Sequence, residues 1–308
     1  MAIFPKIELS TCAFCETAAP LCDSHIIPRF VYRWKIETSP TGRFRSGIAP
    51  NVRLQDGQKA NLLCAVCEER FSNWETQTAN SLFYPYHADA SMRVQYGPWL
   101  AKFVASVVWR VLLSFKHTGE LKHLTAQQLE LAEQALGRWR DFMADRVSDP
   151  GAFELHLLPV TLIANVQGGD LPSNMNRYLS RVIDTDVGSN SNSAFVYAKM
   201  GRLIVFGFVQ MPHPEWWGGT RVDVLEGTIQ PREYQLHKTI GQYLESRALR
   251  TAELQRALSP RQKQRIDDAF RSDPDRVAFS DMFQALRRDV EMFGEDRVFN
   301  RLKEKSDR

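Results

Sequence analysis

The sequence has no long uninterrupted apolar run and no strong excess of either charge. Its most apolar stretch, residues 99–115, is interrupted by Lys102 and Arg110 and is shorter than the roughly 20 residues of a membrane-spanning helix. We therefore expect no membrane span. The formal net charge of +3 allows a local basic patch, but it is too small to identify a nucleic-acid-binding protein by itself.

Internal repeats and low-complexity tracts are also missing, which argues against solenoid and disordered architectures. Because 44% of the residues are hydrophobic and 24% are charged, the composition is that of an ordinary globular protein. A length of 308 residues allows one large domain or, as we expect, two. The first residues show no basic start followed by an apolar run, so we expect no signal peptide and a cytoplasmic protein.

Cysteine is scarce, and four of the five cysteines lie in two Cys-x-x-Cys pairs, Cys12/Cys15 and Cys64/Cys67. A gap of two residues lets one tight turn place two thiolates on the same ion, and two such turns complete the tetrahedral shell of Zn²⁺. Because four sulfurs leave no position for water, we expect a structural zinc. The alternative is four buried or free thiols. Cys22 stands outside both pairs and is expected in the core, and the odd total favours a reducing compartment.

Hydrophobic periodicity predicts a mixture of helices and strands. Residues 31–36 alternate as a half-buried strand does, whereas residues 65–81 contain neither glycine nor proline and predict a helix. Apolar residues recur at helical spacing over residues 99–115, and Thr125 is a suitable N-cap for a second helix that runs to about residue 146. These two helices should form an antiparallel hairpin.

Farther along the chain, the period changes to that of strands. Residues 194–209 predict two strands joined around Met200-Gly201, and residues 220–229 predict a further strand. The chain from residue 231 onwards is charge-rich and is predicted to be helical. The sequence therefore predicts an α+β protein. We expect one domain over residues 1–95 and, over residues 96–308, a larger α+β domain with a helical hairpin, an antiparallel sheet and C-terminal helices.

The segment between the two cysteine pairs carries a more specific pattern. The chain reads Asp23-Ser24-His25-Ile26-Ile27-Pro28, and the second pair lies in Leu63-Cys64-Ala65-Val66-Cys67. Over about residues 10–76, roughly a quarter of the chain, this arrangement resembles the HNH endonuclease superfamily, the ββα-metal nucleases. In that family an Asp-His-Ile-x-Pro strand is followed by an asparagine in a loop and by a Cys-x-x-Cys-His knuckle that leads into a helix. The resemblance implies an N-terminal zinc-stapled ββα-metal domain.

In that family the strand histidine activates water as a general base, and a second metal ion, usually Mg²⁺, contacts the scissile phosphate. The resemblance therefore implies that His25 is the base, that Asn61 orients it, and that Glu68 is a ligand of a catalytic Mg²⁺ or Mn²⁺ ion. The chemistry also stands on its own, since histidine titrates near neutral pH and can take a proton from water. A cation stabilises the charge that develops on the phosphorane and on the leaving oxygen.

Three positions depart from the family pattern. Ser24 stands where the family places a metal-binding aspartate, Glu68 replaces the usual histidine, and Asn61 lies two residues closer to the knuckle than is common. Because a hydroxyl is a poor ligand for Mg²⁺, the ion would depend on Glu68, water or Asp23, which shares the face of His25 on a regular strand. The alternative is a structural His25 in a zinc ribbon without catalysis, with Glu68 as a surface side chain.

The resemblance therefore implies a metal-dependent endonuclease that hydrolyses DNA phosphodiester bonds. Five arginines surround the predicted hairpin and could form a local basic patch: Arg29, Arg33, Arg43, Arg45 and Arg53. The first four are candidate contacts to the nucleic acid. A small nuclease head on a larger body is typical of restriction and phage-defence effectors, and this analogy rests on the fold family alone. Residues 96–308 would then serve substrate selection, regulation, homodimerisation or binding of a partner protein.

The leading alternative is a non-catalytic zinc module that binds nucleic acid or a protein partner. In a third interpretation, the larger domain is the active part of the protein and the zinc-binding section only scaffolds an oligomer.

Overall fold

The computed structural model describes residues 7, 9–45, 47, 49–163, 171–230, 234 and 238–299. Contacts along the chain divide it into two compact units, each built from three segments. The first unit comprises Met1–Phe30, Gly57–Pro159 and Ile183–Leu236, and the second comprises Val31–Asp56, Val160–Val182 and His237–Arg308. The four paired cysteines and the helical hairpin predicted from residue 99 onwards therefore belong to the same unit.

Within the described residues, the strands are β1 (Leu21–His25), β2 (Phe44–Arg45), β3 (Arg53–Leu54), β4 (Lys59–Cys64), β5 (Val94–Tyr96), β6 (Leu155–Pro159), β7 (Ile183–Ser189), β8 (Ala194–Met200), β9 (Leu203–Gln210) and β10 (Gly227–Ile229). The α-helices are α1 (Arg29–Glu37), α2 (Ala65–Thr78), α3 (Tyr84–Ala88), α4 (Pro98–His117), α5 (Ala126–Met143), α6 (Met175–Arg181), α7 (Lys238–Arg256), α8 (Pro260–Ser272), α9 (Pro274–Ala278), α10 (Asp281–Phe293) and α11 (Glu295–Phe299). A π-helical turn, Ala79–Phe83, joins α2 to α3, and a 3₁₀ turn spans Pro214–Trp217. The α+β class is confirmed.

The core of the first unit is a four-stranded antiparallel sheet in the order β6-β9-β8-β7, with α4 and α5 packed against it. β9 lies inside the sheet and is buried along almost its whole length. Gly207 lets the helices approach it closely, since a Cβ atom at this position would lie 2.8 Å from Trp139 Cζ2 and 2.8 Å from Val108 Cγ2. The hairpin of two helices and the pair of strands around Met200-Gly201 are thus confirmed.

Thr125 caps α5 as the sequence predicts. Its hydroxyl accepts a hydrogen bond from the backbone N–H of Gln128, and the Gln128 side chain accepts one from the backbone N–H of Thr125. This reciprocal arrangement satisfies two backbone donors that the first turn of a helix leaves without partners.

The segment that carries the candidate site consists of two antiparallel strands and the helix that follows them. In β1 and β4, His25 pairs with Lys59 and Leu21 pairs with Cys64, and the register shifts once between these pairs. β4 leads directly into α2, which continues through the π-helical turn into α3. The helix predicted over residues 65–81 is therefore confirmed.

Residues 31–36 were predicted to form a strand, and this prediction is wrong, because they lie within the helix α1. Apolar and polar residues alternate over this short run, which is typical of a strand. When the preceding residue is included, the buried side chains also fit a helix, since Phe30, Val31 and Trp34 share one helical face. Of the strand predicted over residues 220–229, only β10 forms. It pairs with β5, while Arg221 makes an isolated bridge to His156.

In the second unit, β2 and β3 form a short antiparallel ladder, and the described residues from Lys238 onwards are mostly helical, as predicted, in α7 to α11. Residues 231–233, 235–237 and 300–308 of the predicted helical section lie outside the described part. The carboxylate of Asp289 in α10 is buried and joins this helix to α6. It accepts hydrogen bonds from the backbone N–H groups of Asn176 and Arg177 at 2.9 and 3.3 Å and from Arg177 Nε at 2.7 Å.

Among the described residues, α4 is the one helix that is long and apolar enough to cross a membrane. Most of its residues are buried in the first unit, including Arg110, which is 2% exposed. Its apolar stripe is therefore covered by protein, as in the core helix of a globular fold.

Candidate metal centre and the adjoining histidine

The first cysteine pair lies in a tight turn that is closed by two backbone hydrogen bonds. The Cys12 N–H donates to the Thr17 carbonyl at 3.0 Å, and the Glu16 N–H donates to the Cys12 carbonyl at 2.8 Å. Glu16 has a φ of 62°, a left-handed conformation that the turn requires directly after Cys15. The Ala13 N–H donates to the Leu62 carbonyl at 2.9 Å and so ties this turn to β4.

The second pair is placed by the junction between β4 and α2. Cys64 is both the last residue of the strand and the N-cap of the helix, and Cys67 lies in the first helical turn. Backbone N–H groups at a helix N-terminus carry partial positive charge, which favours negatively charged thiolates at these two positions.

The four paired cysteines converge on a single site. Their sulfur atoms all lie within 4.8 Å of one another, and the Sγ atoms of Cys15 and Cys64 are 3.7 Å apart. A tetrahedral site with Zn–S bonds of about 2.3 Å would hold its sulfurs about 3.8 Å apart. The expected cluster is confirmed, and its geometry fits a structural zinc ion. Cys22 is not part of the cluster.

The thiols of this cluster differ in acidity. Hydrogen bonds from the side chain and the backbone of Thr17 lower the pKa of Cys15 to about 6, whereas burial raises the pKa of Cys67. Because zinc binds thiolates, binding must displace the protons that the less acidic thiols carry. The affinity for zinc should therefore fall as the pH decreases.

Aromatic residues connect the zinc cluster to the core of the first unit. The ring of Phe14, which lies between the first two cysteines, packs edge-on against Phe71 of α2 at 5.2 Å and against Trp109 of α4 at 6.2 Å between centroids. Phe71 and Trp109 also contact each other. The turn that carries Cys12 and Cys15 is thus anchored by apolar packing as well as by hydrogen bonds.

The residue before the candidate base meets the residue after the second cysteine pair. Ser24 is fully buried, and its hydroxyl donates a 2.6 Å hydrogen bond to Glu68 Oε2. Glu68 is half-buried in the first turn of α2. These two side chains, 44 residues apart in the chain, provide one carboxylate and one hydroxyl at the same place.

The other predicted residues lie on the opposite face of the hairpin. Asp23 pairs with Asn61 and His25 pairs with Lys59, and because side chains alternate along a strand, these four share a face. The Asp23 carboxylate is 3.3 Å from Lys59 Nζ in an exposed ion pair. Asn61 is exposed and lies diagonally across from His25, which is half-buried.

A buried arginine that no sequence pattern singled out supports the backbone at His25. Arg110 Nη1 donates a 2.8 Å hydrogen bond to the His25 carbonyl, and Arg110 Nη2 lies 2.7 Å from Glu75 Oε1. Its Nε also donates to the Ser106 carbonyl at 3.1 Å. The available signal was a charged residue inside the apolar stripe of α4, since a buried cation needs an anionic partner.

The four candidate DNA-binding arginines lie at two places along the chain. Arg29 and Arg33 are exposed and stand one turn apart on α1. Arg43 directly precedes β2 and Arg45 is its last residue, and Arg33, Arg43 and Arg45 all belong to the second unit.

Among the residues that the structure describes, the four cysteines form the one group of three or more candidate metal ligands. A catalytic cation would therefore depend on Glu68, with Ser24 beside it, and on ligands from outside the protein. Comparisons of the chain with protein-family models, with curated proteins and with solved structures gave no match.

Proposed function

We propose that this protein is a metal-dependent endonuclease of the HNH type that hydrolyses phosphodiester bonds of DNA. The observation that carries the proposal is the 2.6 Å contact between Ser24 and Glu68. By the resemblance, the residue before the strand histidine and the residue after the second cysteine pair are the positions that bind the catalytic ion. Their side chains meet, and the residue after Ser24 is His25, the last residue of β1, in a segment fastened by a zinc-type cysteine cluster.

The residues at this place fit a weakly held Mg²⁺ or Mn²⁺ ion. Mg²⁺ typically keeps several waters and binds through one or two carboxylates together with substrate phosphates. Glu68 would supply the carboxylate, and Ser24 a hydroxyl that orients it. Asp23 faces the other side of the hairpin beside Lys59 and is not part of the proposed ligand pair. When bound, the ion would stabilise charge on the phosphorane and on the leaving oxygen.

In this proposal His25 takes a proton from the attacking water. Its partial exposure gives the imidazole access to solvent, and Arg110 holds its backbone carbonyl. Asn61 is the proposed orienting residue by the resemblance, and it lies on the same face of the hairpin as His25, diagonally across from it. The cysteine cluster would hold structural zinc, and the reduced thiols it needs fit a cytoplasmic location.

A second candidate function is a non-catalytic zinc module that binds nucleic acid or a protein partner. One observation favours it, because both candidate metal-binding carboxylates already have partners, Glu68 in Ser24 and Asp23 in Lys59. In that case the Ser24–Glu68 hydrogen bond would only stabilise the junction between the hairpin and α2.

Incubation of the purified protein with plasmid DNA and Mg²⁺ or Mn²⁺ tests the enzyme proposal. We expect wild-type protein to nick or linearise the plasmid and His25→Ala to lose about 10²- to 10⁴-fold in rate, as expected for removal of a general base. His213→Ala is the matched control, because His213 is an exposed histidine of the same unit that lies outside the site. Equal cutting by wild type and His25→Ala, or no cutting of several DNA substrates with either ion, would refute the proposal.

A further inference from the structure

Four arginines converge on one face of the second unit. β2 and β3 pair so that Arg45 lies directly opposite Arg53. Arg43 directly precedes β2, and a concave surface is lined by Thr41, Arg43, Phe44, Arg45, Arg53 and Ile266. Arg265, the neighbour of Ile266 on α8, is exposed. We call Arg43, Arg45, Arg53 and Arg265 the arginine cluster.

The arginine cluster concentrates positive charge on one surface. Like charges directly opposite each other in an antiparallel pair destabilise it. The pKa of Arg53 is lowered by burial and by the positive charges of Arg265 and Arg43. The pKa of Arg45 is lowered by burial and by the positive charge of Arg53. Within the described part of the chain, none of the four takes part in an ion pair.

The arginine cluster is also partly preorganised. Arg45 Nη1 donates hydrogen bonds to the Pro50 carbonyl at 3.2 Å and to Gln262 Oε1 at 3.1 Å. Both acceptors are neutral, so they orient the guanidinium without cancelling its charge. Arg45 and Arg53 are half-buried and line a concave surface, with the exposed Arg43 beside them. Neighbouring guanidinium groups suit a ligand with successive negative charges, because guanidinium forms paired hydrogen bonds to phosphate oxygens.

We propose that the arginine cluster binds the phosphodiester backbone of nucleic acid through contacts that do not depend on base sequence. The choice of nucleic acid among polyanions rests on the proposed endonuclease function. The contact site itself is separate from His25, Ser24 and Glu68, which belong to the first unit. In this assignment Arg43 and Arg45 act together with Arg53 and Arg265.

Fluorescence anisotropy with a labelled duplex of arbitrary sequence tests this site, in buffer without added divalent cations so that the DNA stays intact. We expect Arg45→Gln/Arg53→Gln to weaken binding at least about tenfold and to reduce the slope of log Kd against log salt by about two, one per lost phosphate contact. Arg250→Gln/Arg271→Gln removes the same charge from exposed positions on α7 and α8 and should change binding far less.

Arg43→Gln/Arg265→Gln is a second test at the two exposed members, in case the first variant fails to fold. Equal weakening by the cluster and control variants would mean that only net charge matters, and this would overturn the proposal. Lack of DNA binding by wild type, or binding to vesicles of anionic lipid in its place, would overturn it as well.

The two proposals fail separately. Binding that depends on the cluster without any cleavage would refute the endonuclease proposal alone. Cleavage together with unchanged binding by both cluster variants would refute the cluster proposal alone.

Discussion

Replacement of Ser24 by aspartate tests most directly whether a divalent cation binds beside Glu68. Ser24 is fully buried, and its Oγ lies 2.6 Å from Glu68 Oε2. An aspartate here would bring two carboxylates within about 4 Å, where two unit charges repel by about 4 kcal/mol at an effective dielectric constant of about 20. Because Glu68 is only half-buried and solvent screens part of this repulsion, we expect Ser24→Asp to lower the free energy of unfolding by about 2 kcal/mol.

A divalent cation should reverse this loss, because two carboxylates hold Mg²⁺ or Mn²⁺ better than one carboxylate and one hydroxyl do. An ion present at about 100 times its Kd stabilises the folded state by about 2.7 kcal/mol, which is enough to offset the expected loss of about 2 kcal/mol. We therefore expect Mn²⁺ to raise the Tm of Ser24→Asp by several degrees more than that of wild type. Differential scanning fluorimetry with and without Mn²⁺ measures this shift, without chelators so that the zinc stays bound.

Two variants control for this effect. Ser24→Asn has nearly the same size as the aspartate variant but no charge, so its Tm should not respond to Mn²⁺ more than that of wild type. Ser24→Asp/Glu68→Gln keeps the new carboxylate and removes its partner, and the added response to Mn²⁺ should largely disappear. If wild type, Ser24→Asp and Ser24→Asn shift equally, position 24 does not adjoin a cation site and the ligand assignment is wrong.

The cysteine cluster and the buried His156 give two predictions on stability. Cys64→Ser should lose its zinc, measured by elemental analysis, and should unfold or precipitate, whereas Cys22→Ser, outside the cluster, should keep both zinc and solubility. A soluble, metal-free and cooperatively folded Cys64→Ser protein would contradict a structural zinc. Burial lowers the pKa of His156 from 6.5 to about 4, although the neighbouring Glu154 raises it. Between these two pH values, the unfolded chain therefore binds a proton at His156 that the folded protein does not bind. The contribution of His156 to the free energy of unfolding is therefore fully present above pH 6.5 and decreases as the pH falls towards 4; at about pH 5 the loss is about 2 kcal/mol. Urea unfolding near pH 7 and pH 5 should show this loss in wild type and a smaller one in His156→Asn; equal losses would exclude His156 as the cause.

Features set by neighbouring residues could be predicted from the sequence. The Thr125 cap and the turn between β8 and β9 depend on residues a few positions apart, so local patterns were sufficient. The cysteine cluster joins distant segments, but the repeated spacing of two pairs carries its own geometric meaning. The strand predicted over residues 31–36 was wrong because six alternating residues fit a strand and a helix equally well. The pattern of buried residues over the longer segment decides for the helix.

Contacts between distant segments were beyond the reach of local patterns. The buried Arg110 of α4 and the half-buried Glu75 of α2 form an ion pair, and nothing at helical spacing links these two positions. Local patterns likewise give no link between Asp289 and the backbone of α6. They also do not indicate which three chain segments come together in each unit. Ser24 and Glu68 could be connected in advance only through the resemblance to a nuclease family.

The alternation of β1 sets a condition on the proposed catalysis. Consecutive strand residues direct their side chains to opposite faces of the hairpin, so Ser24 lies beside Glu68 on one face and His25 lies beside Lys59 on the other. A phosphate that lay over the middle of one face could therefore not contact both the Ser24–Glu68 pair and His25. His25 is, however, the last residue of β1, and Arg110 holds its carbonyl where the strand ends. A phosphate that reaches both groups must therefore lie at this end of the hairpin. This requirement explains why a buried arginine at that carbonyl would matter for the position of the base.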